Sequence, residues 1–206
     1  NTAVGRSALA ANTTGASNVA LGVSALDANT TASNNTAIGR DALGTNTTAS
    51  DNTAVGRSAL FSNTTGANNV ALGAYALDAN TTADDNTALG YNTLDANTTG
   101  HSNTAVGRSA GGSITTGVNN ACIGLGAGLA SSPSGAITTG SNNVVLGDNS
   151  INNLFCADTS ISSSDSRDKT DISDFTKGLD WIKALRPVTY RWDRRTWYGT
   201  NEEPYG

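Results

Sequence analysis

Apolar residues in this chain come as short groups cut by asparagine and glycine, and the groups return at a constant step. Asn1-Thr2-Ala3-Val4-Gly5 recurs from Asn18, Asn35, Asn52, Asn69, Asn86, Asn103 and Asn120, each 17 residues after the last. A ninth copy, Asn143-Val144-Val145-Leu146-Gly147, follows after 23, because six residues are inserted around Ser131-Ser132-Pro133-Ser134. Fixed-period self-similarity of this kind builds a stack of repeats rather than one globular core. Each repeat holds a second apolar pair, as in Ala8-Leu9, then Asn-Thr-Thr and a stretch rich in Gly, Asn, Asp and Ser. Two extended segments per coil are predicted, around Thr2–Val4 and Ala8–Leu9. The Gly5 column and the Thr14–Asn18 stretch supply the bends, since Gly, Asn and Asp tolerate unusual backbone angles. A helical reading fails: Gly recurs in every coil and no i, i+3, i+4 stripe survives. The pattern therefore predicts an all-β parallel β-solenoid or β-roll of 17-residue coils over residues 1–150. With strands about 4.8 Å apart, it forms a rod roughly 40 Å long.

Neighbours in an extended segment point to opposite faces. Ala3 and Val4 should therefore part company, and so should Ala8 and Leu9. The small column suits the interior of a narrow coil. The other face then presents Val4, Leu21, Ile38, Val55, Leu72, Leu89, Val106, Ile123 and Leu146 in a line, with Leu9, Leu26, Leu43, Leu60, Leu77 and Leu94 nearby. One chain can tuck only one set inside. Each aliphatic side chain gains about 1.5–3 kcal/mol on full burial, and a long column outweighs the cost of association. The array is expected to be an obligate oligomer. Asn1, Asn18, Asn12 and Asn29, stacked at strand spacing, are expected to form amide ladders.

Composition divides the chain in two. Residues 1–150 contain no Lys and, among aromatics, only Phe61, Tyr75 and Tyr91; residues 151–206 hold every Lys and all three Trp. Net charge is -5, and the array's Arg6, Arg40, Arg57 and Arg108 are outnumbered by Asp, which speaks against nucleic-acid binding. No apolar run reaches the roughly 20 residues of a membrane span, so no membrane insertion is expected. The chain shows no signal peptide and no initiator Met, and reads as a fragment of a longer protein. Cys122 stands in the Ala3 column as a small buried hydrophobe, and Cys156 lies in the connector. Two Cys and the lone His101 cannot furnish a four-ligand zinc site, so neither metal nor cofactor is expected.

Catalysis on external glycans would need a carboxylate pair, whereas Asp27, Asp41, Asp78 and Asp95 sit at turns or variable positions. Ice binding is disfavoured because adjacent Thr13 and Thr14 point apart in an extended chain. Asn12, Asn29, Asn46, Asn63, Asn80 and Asn97 each open an Asn-Thr-Thr sequon, which would permit glycosylation in a secreted protein.

With its Asn-x-Ala-Val/Ile-Gly core, the array resembles the repeat regions of phage tail-fibre-like proteins. More distantly, it resembles the heads of trimeric autotransporter adhesins. The resemblance covers about residues 1–150 and implies a left-handed parallel β-roll in a homotrimer.

After a connector at 151–163, the segment 164–206 opens with Ser164-Asp165-Ser166-Arg167-Asp168-Lys169. Leu179, Ile182 and Leu185 recur at helical spacing up to Pro187, which cannot continue a helix. Val188, Tyr190 and Trp192 then alternate as a half-buried strand. A small α+β tail is predicted. From its residues alone the opening stretch reads as a solvated connector, and Asp165, Asp168 and Asp171 favour the charged form of Lys169. The order of parts is similar, however, to the first portion of the C-terminal intramolecular chaperone domain of phage tail fibres and tailspikes. That resemblance implies Ser164 and Lys169 as a self-cleavage dyad, a Ser nucleophile activated by a neutral Lys.

The expected function is thus structural and adhesive: a trimeric fibre segment of a virion tail or cell-surface appendage, with a chaperone that drives trimerisation. It is not an enzyme apart from one self-cleavage event per chain. A bacterial adhesin or glycosylated extracellular filament is the alternative, and a glycan-degrading tailspike a weaker one. Contacts to a cell-surface glycan or protein receptor would fall on the variable positions Arg6, Val23, Arg40, Arg57, Ala74, Tyr91 and Arg108, or on the loop Ser131–Ala136.

Overall fold

The computed structural model describes residues 1–152. The predicted tail, with Ser164, Lys169 and Cys156, lies outside the described residues. Each Asn-x-Ala-aliphatic segment forms one three-residue strand: β1 Thr2–Val4, β2 Val19–Leu21, β3 Thr36–Ile38, β4 Thr53–Val55, β5 Val70–Leu72, β6 Thr87–Leu89, β7 Thr104–Val106, β8 Ala121–Ile123 and β9 Val144–Leu146. They line up in chain order as one parallel nine-stranded sheet, with like positions paired from coil to coil (Ala37 beside Ala54, Ile38 beside Val55). Among the described residues there is no helix. Strands this short have no stability of their own. They persist because each coil hydrogen-bonds to the next, as where Val19 N donates to Asn35 O at 2.8 Å and Gly22 N to Val4 O at 2.9 Å.

The middle residue of each strand points inward. Ala20, Ala37, Ala54, Ala71, Ala88 and Ala105 are completely buried, and Cys122 continues their column as expected. The thiol is free, and burial pushes its titration upward, so it stays a neutral packing group.

The segment around Ala8–Leu9 differs from the expectation. It is a turn rather than a second strand, and Leu9, Leu26, Leu43, Leu60, Leu77 and Leu94 adopt φ between 50° and 53°. The rule that neighbours face opposite ways holds only for extended backbone. A left-handed Leu reverses the chain, so its side chain follows that of the preceding residue inward. Ala25, Ala42, Ala59 and Ala76, together with Leu26, Leu43, Leu60 and Leu77, are all fully buried. The leucine column thus forms the solenoid's core instead of flanking the outer face. A left-handed non-glycine residue costs on the order of 1–2 kcal/mol. Burial of the side chain, about 1.5–3 kcal/mol, offsets that, and the turn amide is satisfied where Leu60 N donates to Ala76 O at 3.0 Å.

Two asparagine columns bind the coils together. In the first, the Asn35 amide N–H reaches Asn18 Oδ1 at 3.0 Å, while Asn35 Nδ2 reaches Ala49 O at 2.9 Å. The second is a side-chain ladder: Asn46 Nδ2 donates to Asn29 Oδ1 at 3.1 Å and to Ala49 O at 2.9 Å, and the pattern runs from Asn12 to Asn97. It stops where Ile114 replaces asparagine, leaving Asn97 Oδ1 buried without a partner. The same coil replaces Leu by Gly111, whose missing Cβ would sit 2.7 Å from Leu94 Cδ2 and 3.4 Å from Ile114 Cδ1. Ile114 therefore occupies room that Leu fills elsewhere. Gly128 and Ile137 repeat the exchange one coil later, and both are buried.

The Gly5 column is one place where coils approach too closely for a side chain. At Gly56, with φ 137°, a Cβ would come within 2.5 Å of the Gly73 carbonyl. Only glycine has both the backbone freedom and the lack of bulk this contact requires. The inserted residues form a turn organised by buried Ser132, whose Oγ donates to Leu129 O at 2.8 Å.

Leu60→Ala leaves a cavity in a core only one side chain wide. It should cost about 2–5 kcal/mol, read as a lowered midpoint in urea denaturation followed by circular dichroism.

Candidate functional site

With the middle residue of each strand turned in, the first and third turn out. The third-position column, Val4 to Leu146, lies along the outer face of the sheet. Val4, Leu21, Leu89, Ile123 and Leu146 are exposed, and Ile38, Val55, Leu72 and Val106 are half-buried. Val19 and Val144 in the first-position column add to the same face, Val144 being 75% exposed. A monomer seldom leaves so continuous an apolar strip in water, and such strips mark interaction surfaces.

The two edges of this face differ chemically. Past the C-terminal ends of the strands runs the column Arg6, Val23, Arg40, Arg57, Ala74, Tyr91, Arg108, Leu125 and Asp148, which contains every arginine of residues 1–152. Arg57 Cζ lies 4.5 Å from the centroid of the Tyr75 ring, and Tyr75 meets Tyr91 edge-on with centroids 6.2 Å apart. Such a cation–π contact contributes about 0.5–1 kcal/mol at an exposed site and holds the guanidinium at the surface. Arg40 Nε lies 3.4 Å from Asp41 Oδ2, the one ion pair among the described residues. Before the strands run the turn residues Asp51, Asp84 and Asp85, all exposed. Asn34 Nδ2 donates to Asp51 Oδ1 at 3.1 Å and the Ala67 amide to Asp84 Oδ1 at 2.7 Å, so these carboxylates are anchored locally.

Of the variable positions singled out as receptor contacts, Arg6, Arg40, Arg57, Tyr91 and Arg108 are exposed, while Val23 and Ala74 are half-buried. In the loop Ser131–Ala136, Ser132 is buried as the turn's anchor. Five of the six sequons are not available in the folded array. Asn29, Asn46, Asn63, Asn80 and Asn97 are fully buried, and each Nδ2 that a glycan would need is donated along the ladder. This argues against glycosylation of these five as the role of the triplet. The first Thr of each triplet is committed too: Thr30 Oγ1 donates to Thr47 O and Thr64 Oγ1 to Thr81 O, both at 3.0 Å.

The structure also brings together carboxylates that the sequence places only at variable positions. Asp78 and Asp95 occupy the same place in successive coils. Burial raises both above the usual carboxylate range, and the charge of Asp95 adds to the rise at Asp78. Their 17-residue separation was the available signal. A carboxyl that titrates higher folded than unfolded favours folding on the acid side, and that contribution fades as pH rises through the raised value. Asp95→Asn should therefore raise the thermal midpoint at neutral pH. It should also shrink the stabilisation that wild type gains on acidification, measured as midpoint against pH.

Residues 164–205 match the family described as the chaperone of endosialidase. The match begins at Ser164, includes Lys169 and covers the stretch read above as helix and strand. Neither a curated protein nor a solved structure matches the chain. A parallel β-solenoid followed by such a chaperone segment fits a phage tail fibre-like protein.

Proposed function

We propose that this chain is a segment of a trimeric fibre, carried on a virion tail or a related surface appendage. Residues 1–150 would form its shaft and residues from 164 the start of a chaperone that aligns three chains. The observation that carries the reading is the apolar column from Val4 to Leu146, which the fold leaves outside although the leucine column is inside. Three such faces turned toward one another remove the strip from water. Contact with a cell-surface glycan or protein would then fall to the remaining faces and the Ser131–Ala136 turn.

The chaperone match supports a second element of the proposal. Coils of equal length make chains shifted by one repeat nearly equal in energy, so side-by-side alignment needs a clamp at one end. Once the shaft is assembled its cooperative stack holds by itself. Removing the clamp then prevents disassembly by the same route. In this scheme Lys169, kept neutral, accepts the Ser164 hydroxyl proton and Ser164 Oγ attacks the adjoining peptide carbonyl. The C–N bond of that peptide breaks as Lys169 passes the proton to the departing amine, and water then hydrolyses the ester left on Ser164.

Chromatography with light scattering should give three times the chain mass. Leu72→Asp places a charge in the apolar seam and should yield monomer; a variant that elutes as wild type does would put the column in water. In the longer parent protein, Ser164→Ala and Lys169→Ala should each abolish the cut, seen as an unprocessed band on a denaturing gel, while trimers persist. Processing that continues in Ser164→Ala would assign the cut to an outside protease.

A further inference from the structure

We infer that the chains pack parallel and edge to edge around the fibre axis, the arginine edge of each sheet against the aspartate edge of its neighbour. This rests on the trimer reading above and specifies what that reading leaves open: orientation, and which surfaces meet. In a three-fold cyclic assembly one surface of a chain meets a different surface of the next, so the two edges of the outer face must be complementary. Here they are of opposite charge. The C-terminal strand edge carries Arg6, Arg40, Arg57 and Arg108 against Asp41 and Asp148, a net positive charge, and the other edge carries Asp51, Asp84 and Asp85.

The levels along the rod also correspond. Asp51 is the last residue of the third coil, which holds Arg40, and leads into the fourth, which holds Arg57. Asp84 and Asp85 close the fifth, level with Tyr75 and Tyr91, whose phenols can donate to a carboxylate. Further along, the aspartate edge gives way to a groove of about 210 Å³ lined by Ser102, Thr104, Asn119, Asn142, Asn143 and Val144. At that level the opposite edge carries Arg108 and Leu125, the latter 55% exposed. Amide and hydroxyl oxygens suit a guanidinium, and the Val144 side suits an aliphatic group. An antiparallel pairing of these faces would set arginine against arginine, and like charges across an interface are strongly disfavoured. The occupant of both edges is therefore a second copy of this chain.

The test is charge reversal in the 206-residue chain. Arg40→Glu with Arg57→Glu makes both edges acidic; Asp51→Lys with Asp84→Lys and Asp85→Lys makes both basic. Each set alone should weaken trimerisation by roughly tenfold or more, measured by analytical ultracentrifugation over a concentration series, and the two sets together should restore it. Wild-type trimer should also weaken as NaCl is raised, since rim charges are screened within about 10 Å at 0.1 M. Trimers that ignore either single set, or a combined set that fails to recover, would overturn the edge pairing while leaving the trimer intact. A wild-type monomer would overturn the trimer reading itself. Circular dichroism of each variant checks that the solenoid persists, and the neutral pair Arg40→Gln with Arg57→Gln should fall between wild type and reversal.

Discussion

Hydrogen bonding from one coil to the next is the interaction on which this structure depends. A coil with a three-residue strand and one leucine has no core that would hold it alone. What it has is a complete set of donors and acceptors pointing up and down the stack, with two buried asparagine columns filling the places the backbone cannot reach. An asparagine there presents donor and acceptor on one short planar group, so a single buried side chain accepts from one neighbour and donates to another. The step of 17 residues must then be kept, because a coil of another length would offer its groups at the wrong places. The one coil of 23 residues keeps its ladder by folding the surplus into a turn closed by Ser132.

From that constraint follows the division of apolar residues. The interior is so narrow that alanine fills most of it, and Gly5-type positions leave no space even for a Cβ. A larger side chain fits at one point per coil, where the backbone turns left-handed and aims Leu at the axis. Leu94 with Asn97 giving way to Gly111 with Ile114 shows that the volume is conserved even when its source moves. The aliphatic column of the strands is then left outside because the core has no room for it.

Charge adds direction to that surface. The array has few ionic groups, yet its arginines occupy one edge, one of them held against a tyrosine ring. A strip that is apolar in the middle and oppositely charged at its margins can bury its centre against copies of itself in parallel and be repelled in antiparallel. In the proposed fibre, a chaperone segment at 164–205 would align such chains at one end.

Much of this was legible in the sequence. The repeat length, the strand at Thr2–Val4, the alanine interior with Cys122 in it, the asparagine ladders and the outer aliphatic column all follow from a strict period combined with strand alternation. The motif at Ser164–Lys169 was legible as a resemblance, and the family match covers the same residues. The position of the leucines was not legible. Ala-Leu reads as an extended pair pointing two ways, and only the closure of the coil forces Leu into a left-handed turn, where its burial outweighs the backbone cost. Nor could sequence show that five of the six sequon asparagines lie fully buried, or that Asp78 stacks on Asp95. Those facts depend on which groups the stack brings within hydrogen-bonding or Coulombic reach. The period sets which residues recur together, while closure of each coil decides which way they point.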